Sequence, residues 1–318
     1  MQRFSNILLV ADALTDRSAA LHHAVALAKN NQATLTVVGV VEDVSAEGSK
    51  AVPSVKLRDM LISEQREKLD DIVSSIVEAD RFIKVSVLIG NPYIEIIRQV
   101  LRSNHDLLIK SADEDQSLRN LLFGSTDMHL MRKCPCPVWI LKSTQQPHSR
   151  RILAALDHDP GDTVTERLNR QILEMSTSLA LSEFSELHIV HAWRVPWESF
   201  LSPARTGMSD AEVDTMVAEK ANDRHRWLED LVKTYGAKGD KEALDYLKPR
   251  LHVIKGAATH IVPTTARELS VDLVIMGTVG RSGVPGFFIG NTAESILAQL
   301  DCSVVAVKPP GFPGPSTP

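Results

Sequence analysis

The chain repeats itself. Setting Asp106-Leu-Leu-Ile-Lys-Ser above Asp272-Leu-Val-Ile-Met-Gly aligns the sequence with itself at an offset of 166 residues, without a gap from Gly90/Gly256 to Lys142/Lys308. Identical pairs along that line include Asp106/Asp272, Ile109/Ile275, Gly124/Gly290, Thr126/Thr292, Cys136/Cys302 and Val138/Val304. The openings echo each other as well: Asn6-Ile-Leu-Leu-Val-Ala-Asp12 matches Arg151-Ile-Leu-Ala-Ala-Leu-Asp157, and Leu35-Thr-Val-Val-Gly-Val-Val41 matches Leu187-His-Ile-Val-His-Ala-Trp193. A duplication of this length constrains the fold more than any single motif does, because whatever one half forms the other must form too. With 318 residues, each copy is long enough to bury a core of its own.

Both copies read as the same alternation of strands and helices. Short apolar runs at 7–11 and 152–156 suit strands buried on both faces. Leu21, Ala24, Leu27 and Ala28 then recur at helical spacing, as do Leu168, Ile172, Met175 and Leu179. A second strand and a long polar helix follow, the latter carrying Leu57, Leu61, Leu69, Ile72 and Ile76 in one copy and Met216, Trp227, Leu228 and Leu231 in the other. Third strands at 83–89 and 251–255 end at Gly90 and Gly256, fourth strands lie at 106–110 and 272–276, and fifth strands at 138–141 and 304–307. This order predicts an α/β fold of two tandem, doubly wound, five-stranded parallel-sheet domains. The expected boundaries are 1–143 and 150–310, with Ser143–Arg150 as linker and 311–318, rich in Pro and Gly, as a disordered tail.

Composition removes several function classes. The net charge of -5 offers no basic face for nucleic acid. No apolar run reaches membrane-spanning length, and the opening residues lack a signal-peptide cleavage region, so the expected location is cytoplasmic. Three cysteines do not make a disulfide framework. Cys134 and Cys136 flank Pro135, and their simplest reading is small buried residues at the mouth of a strand, with metal or redox work as the alternative.

Parallel α/β sheets bind ligands beyond the carboxyl ends of their strands. In the second copy, strand four runs into Met276-Gly277-Thr278-Val279-Gly280, and after nine intervening residues Gly290-Asn291-Thr292 opens the next helix. Glycines here let main-chain N–H groups turn inward, and a helix N-terminus adds donors and partial positive charge, which suits a polyphosphate. Arg281 either reaches a phosphate or is an exposed loop residue. The first copy has Ser111 and Glu114 where the second has Gly277 and Gly280, giving Ser111-Ala-Asp113-Glu114-Asp115. A carboxylate ~4 Å from a phosphate charge is repelled by about 4 kcal/mol at an effective dielectric near 20, roughly a thousandfold in affinity.

The spacing Gly277-x2-Gly280-x9-Gly290 behind a Val-Asp-Leu-Val-Ile-Met strand resembles the ATP-binding loop of universal stress proteins, and the resemblance extends over both halves, as in tandem members of the E type. It implies that Asp157 and Ala192 lie near base and ribose, that Met276, Gly277, Gly280, Gly290, Asn291 and Thr292 surround the phosphates, and that the activity is binding with at most slow hydrolysis. It also implies an intrachain pseudo-dimer, the two copies pairing through the last strands, 138–141 and 304–307. The cofactor expected is ATP or a related nucleotide, with magnesium held by Asp157 and Asp159 as one possibility; Asp-rich turns after strands also cap helices. One departure stands out. The family has Ser or Thr directly after the last glycine, whereas this chain has Asn291 and then Thr292.

Catalytic signatures are missing: there is no Gly-x4-Gly-Lys-Ser/Thr loop, no G-x-S-x-G elbow and no H-E-x-x-H pair. His188 and His191, three apart on a strand, face opposite ways and cannot share a metal. The segment carrying Trp193, Pro196, Trp197, Phe200 and Pro203 either lids a cleft, over a larger nucleotide-linked or apolar ligand, or packs on a neighbouring helix. Besides nucleotide binding, an interaction module for other proteins and a carrier of such a larger ligand both fit the sequence.

Overall fold

The computed structural model describes residues 4–11, 17–42, 54–76, 83–112, 126–142, 150–195, 208–279, 289–309 and 311–312. They fall into two compact units by internal contacts: unit one holds Gln2–Ser149 with Thr278–Pro318, and unit two holds Arg150–Gly277.

Unit one contains β1 (Asn6–Val10), α1 (Arg17–Asn31), β2 (Thr34–Val41), α2 (Ser54–Ile76), β3 (Ile83–Ile89), α3 (Pro92–Ser103), β4 (Leu107–Ser111), α4 (Thr126–Lys133) and β5 (Val138–Leu141). Its strand order is β3-β2-β1-β4-β5. These pair in parallel, with Ile7 opposite Leu35 on one side and Leu107 on the other. Ile7, Leu8, Leu35, Leu107, Leu108 and Ile109 are fully buried, as central strands covered on both faces require. Unit two contains β6 (Arg151–Leu156), α5 (Thr163–Glu183), β7 (Glu186–Trp193), α6 (Asp210–Tyr235), α7 (Lys241–Leu247), β8 (Arg250–Lys255), α8 (Ala258–Glu268) and β9 (Leu273–Gly277), with parallel order β9-β6-β7-β8. The last elements of the chain, α9 (Asn291–Leu297) and β10 (Ser303–Val307), belong to unit one. There β10 runs antiparallel to β5, Val304 opposite Ile140 and Ala306 opposite Val138.

The repeat is legible in hydrogen bonds as well as in letters. Asp106 accepts from the N–H groups of Ser5 (2.6 Å) and Asn6 (3.1 Å), and Asp272 accepts from Arg150 and Arg151, both at 2.9 Å. Each aspartate thereby ties the start of its fourth strand to the start of its first. Ala112 N donates to Leu141 O in one copy, and Thr278 N to Val307 O in the other. Asn104 and Ser270 both take left-handed backbone after a helix (φ 51 and 49), and Gly90 and Gly256 both turn at positive φ (130 and 154) where only glycine is at ease.

The expected helix stripes face the core: Leu21, Ala24, Leu27 and Ala28 in α1 are buried, as are Ile172, Met175 and Leu179 in α5. Strand bounds differ by a residue or so from the sequence reading, β4 and β9 each starting and ending one position later. The short helix α7 and the 3-10 turn Gly236–Gly239 were not foreseen; Asp240 caps α7 by accepting from Glu242 N and Ala243 N. Gly311 and Phe312, expected in the tail, form a turn in which Phe312 N donates to Pro309 O, and 313–318 lie outside the described residues.

Candidate functional site

The strand ends of unit two are built around two histidines and a tryptophan. Beyond β6, Asp157 is held by α5: its N–H donates to Asn169 Oδ1 (3.2 Å), and Asn169 Nδ2 donates to its carbonyl (2.6 Å). That clamp fixes the main chain and leaves the Asp157 side chain on an exposed residue, where its carboxylate accepts from His158 N at 2.9 Å. His191, near the end of β7, places Nδ1 3.1 Å from the carbonyl of Leu156 and so links the ends of β6 and β7. Trp227 of α6 stands edge-on to both imidazoles, 4.5 Å from His158 and 4.9 Å from His191. Burial lowers the pKa of His191, with the Leu156 carbonyl partly opposing it, and burial together with the Arg224 charge lowers that of His158. Both rings are therefore held towards the neutral form, an apolar and hydrogen-bonding surface rather than a cationic one. Ala192 lies on the opposite strand face, paired with Ile254 of β8.

Met276 is buried in β9 beside Ala155. At Gly277 a Cβ would come 2.5 Å from Leu168 Cδ2, so the glycine makes room for an α5 side chain. Asp162, not Asp157 or Asp159, caps α5, accepting from Val164 N and Thr165 N. Among the described residues no group of three His, Cys, Asp or Glu side chains is arranged to hold a metal.

In unit one, Thr278 is buried and its carbonyl accepts from Gly290 N at 2.9 Å, which holds it against the start of α9. Gly290 caps α9 with no side-chain hydrogen bond, while Asn291 and Thr292 are exposed. The first-turn N–H groups of α9 therefore receive no side-chain cap. Gly280 and Arg281 lie outside the described residues, as do Asp113, Glu114 and Asp115 of the first-copy loop.

What sequence reasoning missed is the first copy's answer to Met276 and Ala293. At the matching positions unit one carries Lys110 and Asp127, both almost wholly buried, with Lys110 Nζ 2.9 Å from Asp127 Oδ1 and donating to Ser111 O at 3.0 Å. A lysine in the apolar run Leu107-Leu-Ile-Lys-Ser was the available signal. Likewise Gly39 stands where the second copy has His191, and the amide of Gln65 from α2 fills the space beside it. His188 and His191 diverge as expected: His188 turns to His252 on β8, Nδ1 to Nε2 at 3.0 Å. Trp193 is buried at the end of β7, while Pro196, Trp197, Phe200 and Pro203 lie outside the described residues.

Taken together, the sheets and the strand-end residues define a duplicated α/β protein of the kind whose ligand sites follow the carboxyl ends of parallel strands. The sequence pattern of the universal stress protein family matches residues 3–142 and again 148–308, and the chain belongs to that family. It is 29% identical over 320 residues to universal stress protein E of Salmonella typhi, covering 99% of this chain and 98% of that one. Against universal stress protein E of Escherichia coli strain K12 the identity is 28%, over 99% and 97%. A crystal structure described as a putative universal stress protein from Pseudomonas aeruginosa shares the fold at a TM-score of 0.64 and 24% identity, covering 97% of this chain and 95% of that one. Among the described residues no helix is long and apolar enough to cross a membrane.

Proposed function

We propose that this universal stress protein binds one nucleotide per chain, ATP or a close relative, through its second repeat, and that the first repeat serves structure or recognition. The residues assigned are Asp157 and Ala192 towards base and ribose, and Met276, Gly277, Gly280, Arg281, Gly290, Asn291 and Thr292 towards the phosphates. Magnesium, if used, would sit with the phosphates and Asp157. The activity is binding with at most slow hydrolysis, in a cytoplasmic stress response that brings in protein partners.

One contrast carries this reading. The second copy has Met276 and Ala293 where the first has the buried Lys110–Asp127 ion pair, so the first copy has satisfied its own charge at the mouth of β4. The acidic residues Asp113, Glu114 and Asp115 add repulsion of any phosphate there. Calorimetric titration with ATP tests the proposal. One site per chain is expected, lost in Gly280→Asp with thermal stability kept. Two equal sites, or undiminished binding by Gly280→Asp, would refute it. Gly280 and Gly290 are better probes than Gly277, whose substitution also disturbs Leu168.

A further inference from the structure

A buried pair of thiols lies in unit one, apart from the residues assigned to nucleotide. Cys134-Pro135-Cys136 joins α4 to β5, and the two sulfurs are 3.5 Å apart with both residues buried. On the neighbouring strand Ala306 faces Val138, and Lys308 follows two residues beyond, within charge range of both thiols. Lys308 is 2% exposed, and its Nζ has no hydrogen-bond partner among the described residues. The aromatic ring of Phe312 lies over it at 5.5 Å. A buried, unpartnered ammonium is costly unless it loses its proton or meets an anion. Among the described residues, the groups within its electrostatic reach are the two thiols.

The charges divide the roles. Burial lowers the Lys308 pKa to about 8, the thiols partly opposing the fall. Burial pushes the Cys134 thiol up, but the hydrogen bond from Cys136 and the Lys308 charge outweigh it and bring it below its ordinary value. Cys136 is raised by that same hydrogen bond and by burial, with Asp106 adding to the effect and Lys308 opposing it. The pair thus favours a thiolate on Cys134 over one on Cys136. The other copy offers an internal comparison. Cys302 matches Cys136 and Lys142 matches Lys308 in the repeat, but Leu300 replaces Cys134 and the Lys142 ammonium is exposed and donates to Asp301 O at 2.5 Å.

We propose that Cys134, Cys136 and Lys308 form a redox site in which a small hydroperoxide oxidises the two thiols to a disulfide. The Cys134 thiolate attacks the outer oxygen of the peroxide; an S–O bond forms, the O–O bond breaks, and the departing oxygen takes its proton from the Lys308 ammonium. Cys136 then attacks the sulfur of the resulting sulfenic acid. The S–S bond forms, the S–O bond breaks, and water leaves with the Cys136 proton. Two thiols are oxidised and one peroxide is reduced to water, or to an alcohol and water.

The test uses the full chain, treated with hydrogen peroxide, unfolded and alkylated, with the peptide spanning 134 and 136 weighed. The expected result is a loss of two hydrogens in that peptide while Cys302 remains alkylated. Lys308→Met should slow the loss about tenfold by removing the charge that favours the thiolate, and Phe312→Ala should speed it by uncovering Lys308. In Cys136→Ser the sulfenic acid should persist at residue 134, where a dione reagent traps it. The proposal is overturned if both thiols stay fully alkylated under peroxide that oxidises the exposed Met60, or if Lys308→Met, still folded by its thermal transition, reacts at the wild-type rate.

Discussion

Lys110 and Asp127 show how one position decides between two uses of the same fold. A buried ion pair holds two charges out of water, so removing either partner strands the other. Lys110→Met alone should therefore cost about 3–5 kcal/mol, read as a lower urea midpoint with an unchanged slope. The double variant Lys110→Met with Asp127→Ala, which installs the second copy's residues, should recover most of that loss; a double variant as unstable as the two singles summed would show that the pair has no coupling. His191 carries a prediction of opposite character. Its folded pKa lies below the ordinary 6.5, so the unfolded chain takes up a proton first as pH falls. The His191 contribution is fully present above about 6.5 and is lost as pH falls from there towards the depressed value. His158, His188 and His252 shift in the same direction and add to it. Thermal midpoints from pH 8 down to 5 should drop below about 6.5, and the drop should shrink in His191→Gln.

Helix ends and strand edges set what each element tolerates. Phe184 ends α5 in the left-handed conformation, φ 55, with its side chain 82% exposed, so it bears backbone strain without burying its ring. Phe184→Gly should stabilise by about 1 kcal/mol, measured as a raised urea midpoint; a lowered midpoint would mean that the ring makes a contact worth more than the strain. Elements were also the level at which the sequence spoke most clearly. The buried runs of β1 and β6 and the stripes of α1 and α5 follow from periodicity, and from Gly90 to Lys142 the offset of 166 carried the assignments from one copy to the other. The Lys110–Asp127 pair was hidden because pattern reading weighs residues along the chain, whereas those two meet only through the β4–α4 packing. Asp162 was overlooked as the α5 cap because Asp157 and Asp159 compete for that role in the sequence. The assignments to Gly280, Arg281 and the acidic first-copy loop rest on sequence alone, since those residues lie outside the described ones.

For the molecule as a whole, the β5 strand edge is already paired within the chain. Within unit one, β10 covers the β5 edge in the antiparallel sense, and Trp139 at that edge is fully buried. An uncovered strand edge with such a side chain seeks another strand. A chain cut to residues 1–149 should therefore dimerise, its β5 strands pairing with each other, and sedimentation should show twice the monomer mass; a well-behaved monomer would contradict this. The two copies differ in what their clefts can bind, on the function proposed above. That difference is tested most directly by titrating the intact protein with ATP and magnesium in a calorimeter, alongside the Gly280→Asp and Glu114→Gly variants. One site per chain in the wild type, none in Gly280→Asp and no loss in Glu114→Gly is the predicted outcome. A site that survives Gly280→Asp and answers only to changes in the first repeat would place the nucleotide in the wrong copy and refute the proposed asymmetry.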